Sequence, residues 1–113
     1  MNNLGVRAEK IAADYLLKQG LLLITQNYHC KYGEIDLIMR DGKMTVFIEV
    51  RLRSSSAFGG AGSSITKSKQ TKLSRTAEHY LQQHGNVACR FDAILMSKAD
   101  AGSIEWIKNA FES

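Results

Sequence analysis

Residues 33–51 read GEIDLIMRDGKMTVFIEVR, two runs of alternating side chains that flank Asp41-Gly42. This dipeptide between alternating hydrophobic runs is the strongest short-range signal for a β-hairpin. If Asp41-Gly42 forms a two-residue turn, Arg40 pairs with Lys43 and the register of both strands follows. The segment therefore predicts two antiparallel strands at the centre of the fold.

This register places Glu34 opposite Glu49 and Asp36 opposite Phe47. Because side chains alternate along a strand, one face of the hairpin is predicted to carry Glu34, Asp36, Ile38, Thr45, Phe47, Glu49 and Arg51. The opposite face is predicted to be apolar, with Ile35, Leu37, Val46, Ile48 and Val50. Three carboxylates and one guanidinium group thus gather on one face.

Like charges opposite one another destabilise a sheet, so these carboxylates require a compensating cation. Arg51 supplies part of that charge. A divalent metal bound by Asp36, Glu49 and a nearby backbone carbonyl would supply more, since Mg²⁺ prefers oxygen ligands and few carboxylates. The alternative is a solvent-facing surface on which Glu49 forms an ion pair with Arg51 or Arg53.

The periodicity of the remaining chain predicts a mixed α/β fold. The predicted helices are 4–19 and 67–84, with Thr66 or Ser64 as N-cap of the second, and the strands are 21–28, 34–40, 44–52, 89–96 and 104–108. The order α-β-β-β-α-β-β predicts a single mixed β-sheet flanked by helices, with the third and fourth strands parallel across a right-handed crossover. Glu9 lies at the edge of the apolar stripe of the first helix, which is able to cover the carboxylate face.

The 113 residues predict a single domain, 1–113, with a mobile Gly/Ser loop at 54–64. No apolar run approaches the roughly 20 residues that span a bilayer, so no membrane association is expected. The N-terminus lacks the features of a secretory signal, which favours the cytoplasm. Cys30 and Cys89 lie in no metal-binding spacing and are predicted to be buried thiols.

The formal net charge is +4, and its distribution is uneven. Residues 50–77 contain no Asp or Glu, and their basic residues are Arg51, Arg53, Lys67, Lys69, Lys72 and Arg75. Such a segment suits a polyanion, nucleic acid first. A solvated, lysine-rich helix face is the alternative.

The hairpin motifs also carry a resemblance to a known family. The chain resembles the YraN family of uncharacterised proteins, within the PD-(D/E)xK (restriction-endonuclease-like) nuclease superfamily. The resemblance covers nearly the whole chain and rests on Ala8-Glu9, Gly33-Glu-Ile-Asp-Leu-Ile38, Val46-Phe-Ile-Glu-Val-Arg51, Ser68-Lys-Gln70 and Arg90-Phe-Asp92.

The resemblance implies metal-dependent phosphodiester hydrolysis with Mg²⁺ or Mn²⁺ as cofactor. Asp36 matches the first metal-binding acid and Glu49 the second. The Val50 carbonyl is then a third metal ligand, and Glu34 fits a supporting acid of the metal site.

Further catalytic residues follow from the same resemblance. Glu9 is similar to the first-helix glutamate of archaeal Holliday-junction resolvases, and Gln70 looks like a helix glutamine found in several branches of the superfamily. Arg51 stands where most of these nucleases have lysine. Because arginine keeps its proton, Arg51 would orient water or stabilise charge rather than act as a general base.

The implied function is a Mg²⁺-dependent endonuclease acting on DNA, with branched or damaged DNA as candidate substrates. The alternative is a nucleic-acid-binding module that has the nuclease fold and does not cleave. A protein-interaction domain is a third hypothesis. Junction-resolving relatives tend to be dimers, so a homodimer is the candidate assembly.

Overall fold

A computed structural model of the chain describes residues 4–52, 65–85 and 87–112. In chain order the elements are α1 (Leu4–Lys18), β1 (Leu22–Cys30), β2 (Gly33–Asp41), β3 (Met44–Leu52), α2 (Lys67–His84), β4 (Cys89–Met96), a 3₁₀ turn (Ala101–Ser103) and β5 (Ile104–Phe111). This order confirms the predicted α-β-β-β-α-β-β arrangement. The loop predicted at 54–64, together with Arg53, lies outside the described residues.

The strands form one mixed sheet in the order β1-β2-β3-β4-β5. Strands β3 and β4 are parallel, and the other neighbouring pairs are antiparallel. The N-cap of α2 is Thr66, whose side chain accepts a hydrogen bond from the Lys69 backbone N–H. Among the described residues, no helix is long and apolar enough to cross a membrane.

The two helices pack on opposite faces of the sheet. On one face α1 buries Ala8, Ala12 and Leu16 against a cluster that includes Leu37 and Val46. The small alanine side chains let this helix approach the strands closely. The α1 helix therefore covers the face opposite to Phe47.

The second face of the sheet is covered by α2. Leu73, Ala77 and Tyr80 pack there with Phe47 and Phe91. The helix on the predicted carboxylate face is thus α2, and the expectation that α1 covers it is wrong.

The hairpin register differs from the predicted one. Asp41 pairs with Met44, so that Gly42 and Lys43 form the turn. Gly42 has a φ of 63°, a backbone conformation that favours glycine at the first turn position. Each residue of β2 consequently pairs with a β3 residue two positions further along the chain than predicted. Ile38, and not Asp36, lies opposite Phe47. Because the shift is an even number of residues, it does not change which side chains share a face.

The side-chain alternation of β2 is interrupted at Asp36. Alternation predicts that Ile35 shares a face with Leu37, but Ile35 packs with Ile38 in the cluster beneath α2. On the neighbouring strand Asn27 has a φ of 51°, which is uncommon for a residue other than glycine. The alternation of faces along β2 is therefore broken where the first predicted metal ligand lies.

The Arg90-Phe-Asp92 motif forms a buried polar network. The Asp92 carboxylate accepts hydrogen bonds from Arg90 Nε (3.0 Å), Trp106 Nε1 (3.0 Å) and the Asn109 backbone N–H (3.0 Å). Arg90 also forms a 3.0 Å ion pair with Asp41 at the hairpin turn. These contacts assign the motif a role in joining β4 to β5 and to the hairpin.

Candidate active site

The sheet opens between its two central antiparallel strands. Backbone pairing between β2 and β3 ends at Leu37 opposite Ile48, although β3 remains paired with β4 as far as Leu52. In the opening, the Val50 backbone N–H donates a 2.8 Å hydrogen bond to Asp36 Oδ2. The Asp36 carboxylate is thus the hydrogen-bond acceptor for Val50, a role that a backbone carbonyl of the neighbouring strand has in a continuous sheet.

The Glu49 side chain lies beside Asp36 in this opening, and it is almost fully buried. Only 5% of the residue is exposed, and its carboxyl group interacts directly with that of Asp36. Two cations approach Glu49 Oε2: Arg51 Nε at 3.6 Å and Lys69 Nζ at 3.6 Å. The site is therefore a pair of carboxyl groups, Glu49 buried and Asp36 half-buried, flanked by one guanidinium and one ammonium group.

Burial makes both carboxyl groups harder to ionise. Burial and the neighbouring Asp36 carboxylate raise the pKa of Glu49 to about 7, against the lowering effect of Lys69 and Arg51. Burial likewise raises the pKa of Asp36, although the hydrogen bond from Val50 opposes that change. The pair is therefore harder to ionise than two exposed carboxyl groups, even with Arg51 and Lys69 beside it.

Glu9 reaches the same opening from α1 on the other side of the sheet. Partial burial raises the pKa of Glu9, and the Asp36 carboxylate raises it further. The Asn27 side chain opposes this rise through a hydrogen bond to Glu9. Glu9 thus lies beside Asp36, although α1 packs on the opposite face of the sheet.

Glu34 lies nearer the edge of the site. Its carboxylate forms a 3.2 Å ion pair with His29 Nε2 on β1, and it does not face Glu49 as the predicted register required. Its charge nevertheless contributes to the raised pKa values of Asp36 and Glu9. Glu34 is therefore a neighbour of the carboxylate pair.

The donor set suits a small, hard cation. Asp36, Glu49 and the carbonyl of Val50 would offer oxygen ligands, as Mg²⁺ and Mn²⁺ prefer. Among residues 4–52, 65–85 and 87–112, no group of three or more His, Cys, Asp or Glu side chains is arranged to hold one metal ion. A metal here would consequently depend on the carboxylate pair, with the backbone and water completing its coordination.

The other predicted site residues lie on α2. The Gln70 side-chain amide donates a 3.1 Å hydrogen bond to the Ile65 carbonyl and so holds the segment that leads into the helix. Lys67, Lys72 and Arg75 are exposed and available for phosphate contacts.

The position of Lys69 is the feature that sequence reasoning missed. The charge pattern groups Lys69 with its basic neighbours as a nucleic-acid contact, but its ammonium group lies against Glu49. The signal was present in the helical periodicity, because Lys69 is four residues before the buried Leu73 and seven before the buried Thr76. Its side chain therefore points towards the sheet.

Comparisons with known proteins place this chain in a family. The family described as "Uncharacterised protein family UPF0102" matches residues 8–96. A UPF0102 protein of Methylobacillus flagellatus is 57% identical over 113 residues, which are 100% of both chains. A UPF0102 protein of Nitrosomonas europaea is 55% identical over 97% of this chain and 94% of its own. A third, from Saccharophagus degradans, is 49% identical over 97% of this chain and 93% of its own.

Proposed function

The chain belongs to the uncharacterised protein family UPF0102, which is the YraN family, and we propose that it is a metal-dependent endonuclease that hydrolyses phosphodiester bonds in DNA. One observation carries this proposal: the half-buried Asp36 and the buried Glu49 lie side by side at the point where β2 and β3 separate. Neighbouring carboxyl groups removed from water are costly to a fold unless cations compensate them.

In this proposal Asp36, Glu49 and the Val50 carbonyl hold Mg²⁺ or Mn²⁺, and Glu34 supports them. When bound, the ion neutralises charge on the scissile phosphate and lowers the pKa of a bound water. The Val50 N–H fixes one oxygen of Asp36 through their 2.8 Å hydrogen bond. The other oxygen of Asp36 would remain as a ligand for the metal.

The two cations beside Glu49 position its carboxylate and add positive charge where phosphate charge would develop. Arg51 remains protonated, so it serves as an electrostatic group and not as a general base. Glu9, which reaches Asp36 from α1, is the acid best placed to orient a water at the edge of the site. Gln70 acts through the helix start, which it ties to Ile65.

The nucleic-acid surface follows α2 away from this site. Lys67, Lys72 and Arg75 are exposed on the helix whose inward side contributes Lys69. Basic side chains in such an arrangement contact phosphates without reading sequence. The proposal includes branched or damaged DNA as substrate, a homodimer as the assembly and the cytoplasm as the location, each of which stays a prediction.

The second candidate is a DNA-binding module that does not cleave. It is favoured by the ion pairs of Glu49 with Arg51 and Lys69, which partly neutralise the carboxylate without a metal. Cleavage measurements separate the two functions directly.

The first test is cleavage of linear duplex, flapped and four-way DNA in Mg²⁺ or Mn²⁺. We expect metal-dependent cleavage of at least one substrate by the wild type and none by Asp36→Ala. Lys43→Gln is a matched control, because Lys43 lies in the hairpin turn away from the site.

Calorimetric titration with Mn²⁺ measures the site without cleavage. The wild type should bind, and Asp36→Ala and Glu49→Ala should each abolish the binding. Equal heats in all three proteins would refute the metal site. Metal binding with no cleavage of any substrate would instead favour the non-cleaving module.

A further inference from the structure

A hollow lies between the β1–β2 turn and the outer side of α2. Its volume is about 180 Å³, and its lining residues are Tyr32, Arg75, Glu78, His79 and Gln82. Tyr32 is 39% exposed, which is high for an aromatic side chain. The hollow thus combines an accessible ring with polar and charged groups.

The ring of Tyr32 is supported from beneath by an aromatic chain. The His79 ring lies edge-on to it, with centroids 6.4 Å apart. Tyr28 fixes His79 through a 2.6 Å hydrogen bond between its hydroxyl and Nδ1. Tyr28 in turn packs edge-to-face on the buried Tyr80, at 5.3 Å between centroids. The exposed ring is therefore connected to the core and held in a defined orientation.

Two cations lie near this ring. Lys31 Nζ lies over the Tyr32 ring, 5.3 Å from its centre, and the exposed Arg75 lines the same hollow together with the acidic Glu78. Proteins that bind single-stranded nucleic acid combine such cations with aromatic rings on which bases stack. Glu78 and Gln82 add hydrogen-bonding groups to the lining of the hollow.

The hollow and the candidate active site both lie along α2, which contributes Arg75, Glu78, His79 and Gln82 to the one and Lys69 to the other. Gly33, next to Tyr32, lies so close to α2 that an added Cβ would be 3.3 Å from Thr76 Oγ1. Lys69, beside Glu49, is ten residues before His79, a distance of about 15 Å along a helix. At roughly 3.4 Å per stacked nucleotide, that distance corresponds to about four nucleotides of one strand.

Resting on the proposed function, we propose that Tyr32 stacks on an unpaired base of the DNA strand whose scissile phosphate lies at Asp36 and Glu49. Lys31 and Arg75 contact the phosphates on either side of that base. In a continuous duplex both faces of each base are occupied by its neighbours. The substrate is therefore DNA with a single-stranded segment beside the cleavage point, such as a flap or a gap.

The test is binding measured by fluorescence anisotropy in EDTA, so that cleavage plays no part. Tyr32→Ala should weaken binding of a flapped or single-stranded oligonucleotide by about tenfold, the scale of one base stacked on an aromatic ring. Binding to linear duplex should change less than twofold. Tyr32→Phe, which keeps the ring, should bind as the wild type does, and Leu22→Ala is the control for removal of an exposed apolar side chain.

A 2-aminopurine base placed at successive flap positions locates the stacking site. Its fluorescence should be quenched by the wild type at one position and not by Tyr32→Leu, which retains an apolar side chain without a stacking surface. Unchanged flap binding by Tyr32→Ala, or equal weakening on flap and duplex, would overturn the inference. Because these measurements need no metal, they stand whether or not the wild type cleaves DNA.

Discussion

At the scale of single residues, Arg51 decides how the carboxylate pair is used. Its Nε lies 3.6 Å from Glu49 Oε2, the same distance as Lys69 Nζ. Arg51 stands where the nuclease motif that the sequence resembles usually has lysine, and Lys69 brings an ammonium group to Glu49 from α2.

We predict that Arg51→Lys retains measurable cleavage, because lysine restores the commoner residue and preserves a positive donor. Arg51→Ala should reduce the cleavage rate by at least roughly a hundredfold, the scale for removing one electrostatic interaction with the transition state. Single-turnover cleavage rates at saturating protein measure this effect without interference from DNA affinity.

Mn²⁺ binding should survive both substitutions, since Asp36 and Glu49 remain, and calorimetry provides that control. Cleavage left unchanged in Arg51→Ala would limit Arg51 to an ion-pair role. Cleavage by Arg51→Lys alone, with an inactive wild type, would identify a nuclease scaffold whose activity disappeared with the change at this residue.

At the scale of elements, sequence patterns predict which segments are helices and strands. They predict the contacts and the register between those elements less well. The limits of β3 and α2 match those predicted, since both carry strong periodic patterns with clear end signals. The predicted fifth strand ends at Lys108, but β5 continues to Phe111. The Asp92 carboxylate stabilises that continuation by binding the Asn109 backbone N–H, a long-range contact that local patterns do not reveal.

The predicted faces of the hairpin are correct for the core residues from Leu37 to Val50, and the reason is a general one. A register shift of two residues leaves each side chain on its own face, so the incorrect turn has no effect on the carboxylate grouping. The prediction for Ile35 is wrong because the alternation of side-chain faces along β2 is broken at Asp36. The opening between β2 and β3 could not be predicted either, since alternation assumes that paired strands continue in unbroken register.

The two sides of α2 are predicted to have separable roles in DNA binding. Lys67→Gln and Lys72→Gln together should weaken DNA binding and flatten the plot of log affinity against log salt, by about 0.9 for each duplex phosphate that is no longer neutralised. Both lysines are exposed, and neither forms an ion pair with Glu49. Filter binding or anisotropy across a salt series measures the slope.

Lys43→Gln removes one exposed charge from the hairpin turn and is the control for net charge. Its slope should equal that of the wild type. If the double substitution also leaves the slope unchanged, the phosphate contacts lie on another surface of the protein.

At the scale of the whole molecule, we expect the carboxylate pair to make the metal-free fold less stable than its apolar core alone would. Two helices bury apolar clusters on both faces of the sheet, and the opening at Asp36 and Glu49 places acidic groups between them. Folding without a metal must therefore either protonate Glu49 or bury its charge. This coupling makes the stability of the metal-free protein a measure of the site.

We predict that the free energy of unfolding of the metal-free protein falls as pH rises from about 4.5 to about 7. The pKa of Glu49 is raised from 4.5 to about 7 by burial and by Asp36, so the folded protein holds this proton more tightly than the unfolded chain. The stabilisation is complete below the pKa of Glu49 in the unfolded chain. It is lost as pH rises through the pKa of Glu49 in the folded protein, up to roughly 3 kcal/mol in total.

Urea unfolding in EDTA at pH 4.5, 6 and 8, at constant ionic strength, measures this loss of stability. Glu49→Gln cannot ionise and should lose much less stability over this range, whereas Mn²⁺ at pH 8 should restabilise the wild type and not the variant. Parallel pH profiles for the two proteins would show that Glu49 titrates as an ordinary carboxyl group, and the argument for an uncompensated pair would fail with it.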